Sequence, residues 1–272
     1  MRHIKFGGLL LTILMSLHGT ANAVEFEECS KFINKSEQKY LQCTEYSFIE
    51  ATQKGEYQKA SQWLNVGRKE DKQSYDKLLT ILMCENDILR GSRPFKGNRQ
   101  DVIRLTDDLL RLGASFNSMP IDYLVTPLFC VSNRKDSVIL DHVLSRIEVS
   151  GEELNISQYE GSDPDYLPLH RAILNDDLES AKVLIEYGAS PDASSMLNET
   201  ALKRALELHN VRIANWLLDI DSSVHKLDDQ AGCSGKSALD YALEIPPNVE
   251  GRDQVVERIE ALMQIPATKP CR

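Results

Sequence analysis

Apolar positions recur on a helical period that is interrupted at short intervals. Between Leu169 and Ile185 they fall at Leu169, Ala172 and Ile173, then at Ala181, Leu184 and Ile185. Spacings of three and four place each triplet on one stripe of a short helix. Pro168 opens the first helix, where its missing N–H would have no partner anyway. Asp176 and Asp177 stand at the start of the second, where carboxylates offset the helix dipole. Gly188 suits the left-handed turn that ends it. Alanines recur at Ala172, Ala205 and Ala242, where two helices must approach closely. One such pair cannot bury its apolar stripe alone, so neighbouring pairs must stack in line. The pattern predicts an all-α solenoid with short loops.

The opening Leu167-Pro168-Leu169-His170-Arg171-Ala172 leads to a close at Gly188-Ala189-Ser190-Pro191-Asp192, and it comes again as Thr200-Ala201-Leu202-Lys203-Arg204-Ala205. Ser237–Ala242 repeats the opening slightly late, and Thr126–Val131 precedes it upstream. Two fainter copies lie nearer the N-terminus. Phe48–Gly55 keeps the apolar, alanine and glycine positions, and the interval from Phe48 to Gly67 equals that from Leu169 to Gly188. Leu78–Glu85 reads as a first helix and Asp101–Leu112 as a second, separated by an insertion at Ile88–Gln100. This gives five or six units between Tyr46 and Met263. The repeat resembles the ankyrin repeat, whose opening is T-P-L-H-x-A and whose close is G-A-D. The step from Leu169 to Leu202 matches the ankyrin period of about 33 residues. Departures occur: Leu167 and Ser237 replace the usual threonine, and only His170 keeps the histidine. In ankyrin repeats that threonine–histidine pair braces the turn, so the units with Phe129, Lys203 or Asp240 are expected to lack the brace.

The segment 1–23 changes the setting. Arg2 and Lys5 precede an apolar run from Phe6 to about Leu17, followed by Ala21-Asn22-Ala23. A basic stub, a run too short to cross a bilayer and an A-x-A site describe a secretory signal peptide. The expected organisation is a signal peptide at 1–23, an N-terminal cap at 24–44, the ankyrin-repeat domain at 45–265 and a tail at 266–272. Without the leader, 29 basic residues face 41 acidic ones, a charge of −12. Such a surface argues against nucleic acid and anionic lipid, which both need clustered cations. Six cysteines follow the leader: Cys29, Cys43, Cys84, Cys130, Cys233 and Cys271. An even number in an oxidising compartment suggests disulfides, with 15 possible pairings. Cys29–Cys43 and Cys233–Cys271 would staple the ends and leave Cys84–Cys130. No C-x-x-C spacing occurs, which speaks against a zinc or redox motif.

Catalytic patterns are absent: the sequence has no G-x-S-x-G, H-E-x-x-H or phosphate loop. His142, His170, His209 and His225 are scattered, and Asp219–Ser223 lacks the glycine and glutamate of a calcium loop. No enzyme, metal or cofactor is expected. The sequons at Asn34, Asn155 and Asn198 would matter only in a eukaryotic secretory pathway. A sugar on Asn198 would crowd the turn into the next helix, which favours a bacterial periplasm.

The resemblance implies a protein-binding face made of loop tips and the exposed side of each first helix. Carried over residue by residue, it comprises Asp122, Tyr123, Asn133, Arg134, Asp163, Tyr166, Asn175, Met196, Leu197, Glu199, Glu207 and Lys236. The insertion adds Arg90, Arg93, Lys96, Arg99 and Phe95 without an acid, as a partner contact or a mobile loop. Ankyrin-like bacterial proteins with export signals include immunity proteins that neutralise secreted effectors such as type VI phospholipases. The implied partner is therefore a protein, either a secreted toxin or, for a general envelope scaffold, resident periplasmic proteins.

Overall fold

The computed structural model describes residues 29, 37–65, 72–84, 94–118, 126–151, 156, 167–194, 199–220 and 236–263. The chain divides into two compact units, residues 1–69 and 70–272. The described residues of both are helical, with no strand among them.

In the first unit a long helix α1 (Glu37–Lys54) turns through Gly55, at φ 75°, into α2 (Tyr57–Gln62) and a 3-10 turn at Trp63–Asn65. Phe48, Tyr57, Ala60 and Trp63 form its core, each at most 2% exposed. A Cys29–Cys43 disulfide joins the segment before the pair to α1, with the Cα atoms 5.6 Å apart. Helix α1 runs without a break through residue 44, so the stapled segment and the Phe48 copy of the repeat share one element.

Five helix pairs make up the described part of the second unit. They are α3 (Lys72–Cys84) with α4 (Arg99–Arg111), α5 (Pro127–Ser132) with α6 (Ser137–Ser150), and α7 (Pro168–Leu174) with α8 (Leu178–Glu186). Then come α9 (Ala201–Glu207) with α10 (Val211–Leu218), and α11 (Ala238–Glu244) with α12 (Arg252–Met263). The first helices pack in the order α3, α5, α7, α9, α11. Among the second helices, α4 packs on α6, α6 on α8 and α10 on α12. Packing follows sequence order because each pair buries its stripe against the next. Ala172, Ala205 and Ala242 are all fully buried, as the close helix approach requires.

Local sequence sets where each helix begins. Thr126, Thr200 and Ser237 accept the N–H of Phe129, Lys203 and Asp240, which satisfies one orphan donor at each N-terminus. Leu167 cannot do this, and α7 relies on Pro168 instead. In the last unit the carboxylate of Asp240 accepts the Ser237 N–H in return, closing a capping box. The hydrogen bonds from Ser237 hold the Asp240 carboxyl below the usual aspartate range. Helix α3 begins at Lys72, ahead of the expected start at Leu78. Its extra turns are covered: Tyr75 and Asp76 are buried, and Asp76 accepts the Ser115 N–H beyond α4 at 2.7 Å.

Three of the turns between paired helices repeat one conformation. Lys135, Asp176 and His209 all have φ of 53° or 54°, and each precedes a capping Asp136, Asp177 or Asn210. A side chain in this left-handed region costs about 1–2 kcal/mol. Glycine removes that cost but loses more backbone entropy on folding. Lys135→Gly is therefore expected to stabilise the chain by about 0.5–1 kcal/mol, read as a higher urea midpoint at constant slope.

Candidate protein-binding surface

Asp122, Tyr123, Asp163, Tyr166, Met196 and Leu197 lie outside the described residues, as do Cys233, Cys271 and the segments 1–23 and 266–272. The other six expected contacts, Asn133, Arg134, Asn175, Glu199, Glu207 and Lys236, all lie in the second unit, on or beside its first helices.

Three of them do not offer open surface. Asn133 is 9% exposed and its Oδ1 accepts the Asn175 Nδ2–H at 2.7 Å, which ties the turn after α5 to the turn after α7. Arg134 is 6% exposed, with its guanidinium 4.2 Å from the centroid of the Phe95 ring. Glu199 is 8% exposed; its carbonyl accepts the His170 Nε2–H at 2.9 Å and its Oε1 accepts the Tyr241 hydroxyl at 3.1 Å. The expectation of exposure fails for Asn133 and Glu199 because the adjacent pair closes over them, and for Arg134 because the insertion does. His170 thus braces one unit against the residue that precedes the next unit's cap. In the last unit Asp240, at the corresponding position, bonds only within its own helix start.

Glu207 and Lys236 are exposed but engaged within the chain. Arg204 meets Glu207 at 2.5 Å and Glu199 at 3.8 Å. Lys236 meets Glu244 at 2.6 Å and lies 5.4 Å from the Tyr241 ring centroid. Tyr241 stands one helix row beyond Arg204, at the position that Arg171 and Arg204 hold in their own units. Arg171 in turn lies 5.3 Å over the Phe129 ring. The exposed Glu207, Lys236 and Glu244 are thus each paired where they stand.

Tyr241 carries a measurable consequence. Burial, with the Glu199 charge and hydrogen bond behind it, pushes its phenol up to about 12 from an ordinary 10.0. A raised value means that the fold favours the neutral phenol. Its contribution is present in full below pH 10 and is lost as the pH rises towards 12. In an ultraviolet phenolate titration, Tyr241→Phe is expected to remove a late phase near pH 12. It should also flatten the alkaline loss of thermal stability.

Among the described residues of the insertion, 94–100, all but Phe95 are exposed. Phe95 sits under Arg134, and Arg99 pairs with the buried Asp136 at 3.0 Å. Its described end therefore docks on the turn between α5 and α6. Arg90 and Arg93 lie outside the described residues.

Three further side chains on these helices are apolar and exposed. Leu174, Leu208 and Leu243 are 38%, 39% and 50% exposed, at the C-terminal ends of the neighbouring helices α7, α9 and α11. Leu174 and Leu208 lie beyond the buried stripe of their helices, whereas Leu243 stands at the position that Ile173 and Leu206 bury in theirs. Sequence periodicity alone assigns such a residue to the core.

The ankyrin-repeat family model, "Ankyrin repeats (many copies)", matches residues 169–218, the stretch from α7 to α10. No curated protein matches the chain. Together with the stacked helix pairs, this match defines an all-α array of ankyrin type, as the resemblance of the repeat motifs implied. Arrays of this class are protein–protein interaction modules. Among the described residues, no group of three or more His, Cys, Asp or Glu could hold a metal ion, and no helix is long and apolar enough to cross a membrane.

Proposed function

We propose that this chain is exported through a leader at residues 1–23 and works in a bacterial envelope by masking one protein, a secreted toxin. Export is supported by the leader pattern and by two disulfides within the described residues, since such bonds persist in oxidising compartments. The observation that carries the binding role is the exposure of three leucines, Leu174, Leu208 and Leu243, at the ends of neighbouring helices, while the exposed Glu207 and Lys236 are already paired within the chain. Paired rim charges add little affinity, whereas exposed apolar side chains that become desolvated supply most of it. The acidic balance left without the leader suits a basic partner and speeds its encounter.

The test combines genetics with one variant. A strain lacking this chain should be killed on contact with its parent, and the full chain should restore survival. A chain carrying Leu208→Asp and Leu243→Asp should be exported and folded, yet should bind the toxin about a hundredfold or more weakly, as expected for two central anchors. Full protection by that variant, or no loss of survival on deletion, would reject the masking role. Sensitivity to oxidants alone after deletion would favour a general envelope scaffold.

A further inference from the structure

The second unit contains a disulfide whose surroundings constrain how it can be made. Cys84 is the last residue of α3 and Cys130 lies in the middle of α5, with Cα atoms 4.9 Å apart. Both are 4% exposed, and the nearby residues Leu82, Met83, Phe129 and Val131 are at most 1% exposed. In the first unit, by contrast, Cys29 is buried but its partner Cys43 is only half-buried. Both bonds join cysteines that are consecutive in the chain: none lies between 29 and 43 or between 84 and 130.

A thiol oxidase works through a mixed disulfide. The Cys84 thiolate attacks the oxidase disulfide and displaces one of its sulfurs as a thiolate. The Cys130 thiolate then attacks the Cys84 sulfur and releases the oxidase as a dithiol. Two electrons and two protons pass to the oxidase, and one S–S bond is gained by the chain. Both steps need a foreign sulfur in line with Cys84, and a sulfur sealed between α3 and α5 admits none. We infer that Cys84–Cys130 is closed by a thiol oxidase on the unfolded chain, before α3 docks on α5, and is locked against exchange afterwards, whereas Cys29–Cys43 stays open to exchange. Consecutive pairing fits this order, because each cysteine that emerges can be joined to the one before it without later reshuffling. The inference depends on burial and pairing and is independent of the toxin reading.

The test follows each bond by peptide mass after thiol blocking, with glutathione disulfide as oxidant. The reduced chain is compared unfolded in urea and folded in buffer. Cys84–Cys130 should close about tenfold or more slowly in the folded chain, while Cys29–Cys43 closes at similar rates in both. Equal rates for Cys84–Cys130 in the two states would overturn the inference. If the reduced chain does not fold, the native oxidised chain is treated with dithiothreitol without denaturant. Cys29–Cys43 should then open first and Cys84–Cys130 persist, and the reverse order would overturn the inference.

Discussion

Replacing Leu206 by alanine is expected to cost about 3 kcal/mol, within the range of roughly 2–5 for fully buried leucines. Leu206 lies in α9 and is completely buried. Helix α9 packs on α7, α10 and α11, so it carries the join between the fourth pair and both of its neighbours. In a stacked array each pair is stabilised only by the pairs beside it. Loss of packing at α9 should therefore loosen α11 and α12 as well as its own pair. Hydrogen exchange is expected to quicken through residues 199–263 while 127–186 keep most of their protection. A uniform rise in exchange across the whole second unit would mean that the array unfolds as one block.

The double change Cys84→Ala with Cys130→Ala is expected to cost about 4 kcal/mol by the loop-closure relation, given the sequence separation of 46 between the two cysteines. Geometry explains why this unit needs a covalent tie. Helices α5, α7 and α9 are each followed by a tight turn at Lys135, Asp176 or His209, whereas α3 and α4 are separated by the insertion. Without the short turn, the end of α3 is held sideways to α5. Its loss should fall on α3 and α4 and leave the later pairs folded. Urea unfolding is then expected to show two transitions where the parent shows one, the weaker one reported by Tyr75 and Phe116 near α3 and α4. A single unchanged transition would show that apolar packing alone holds the first pair.

The helix pairs from Pro168 to Leu218 could be read directly from the sequence because their period is strict and each start has its own cap or proline. The last pair stayed recognisable although it comes late, since Ser237 and Asp240 form a local cap. The start of α3 was harder to place. Its first turns owe their order to Asp76 accepting a bond from Ser115, 39 positions away, and no local pattern announces that. The exposure of the expected contact residues was legible only in part. Asn133, Arg134 and Glu199 look like loop-tip residues within their own units, but the next unit or the insertion covers them.

By itself, the sequence determined that helices form in pairs, where most of them begin and that the pairs must stack. Those outcomes depend on residues within about four positions of each other, through helical periodicity, capping bonds and turn conformation. The sequence reduced the cysteines to candidate pairs that include Cys84–Cys130. Only the tertiary structure decided that Asn133 is tied to Asn175, that Phe95 lies under Arg134 and that three leucines are left at the helix ends. Each of these joins residues tens of positions apart or belongs to the surface of the stack, and chain distance carries no information about which side chain a neighbouring pair will cover.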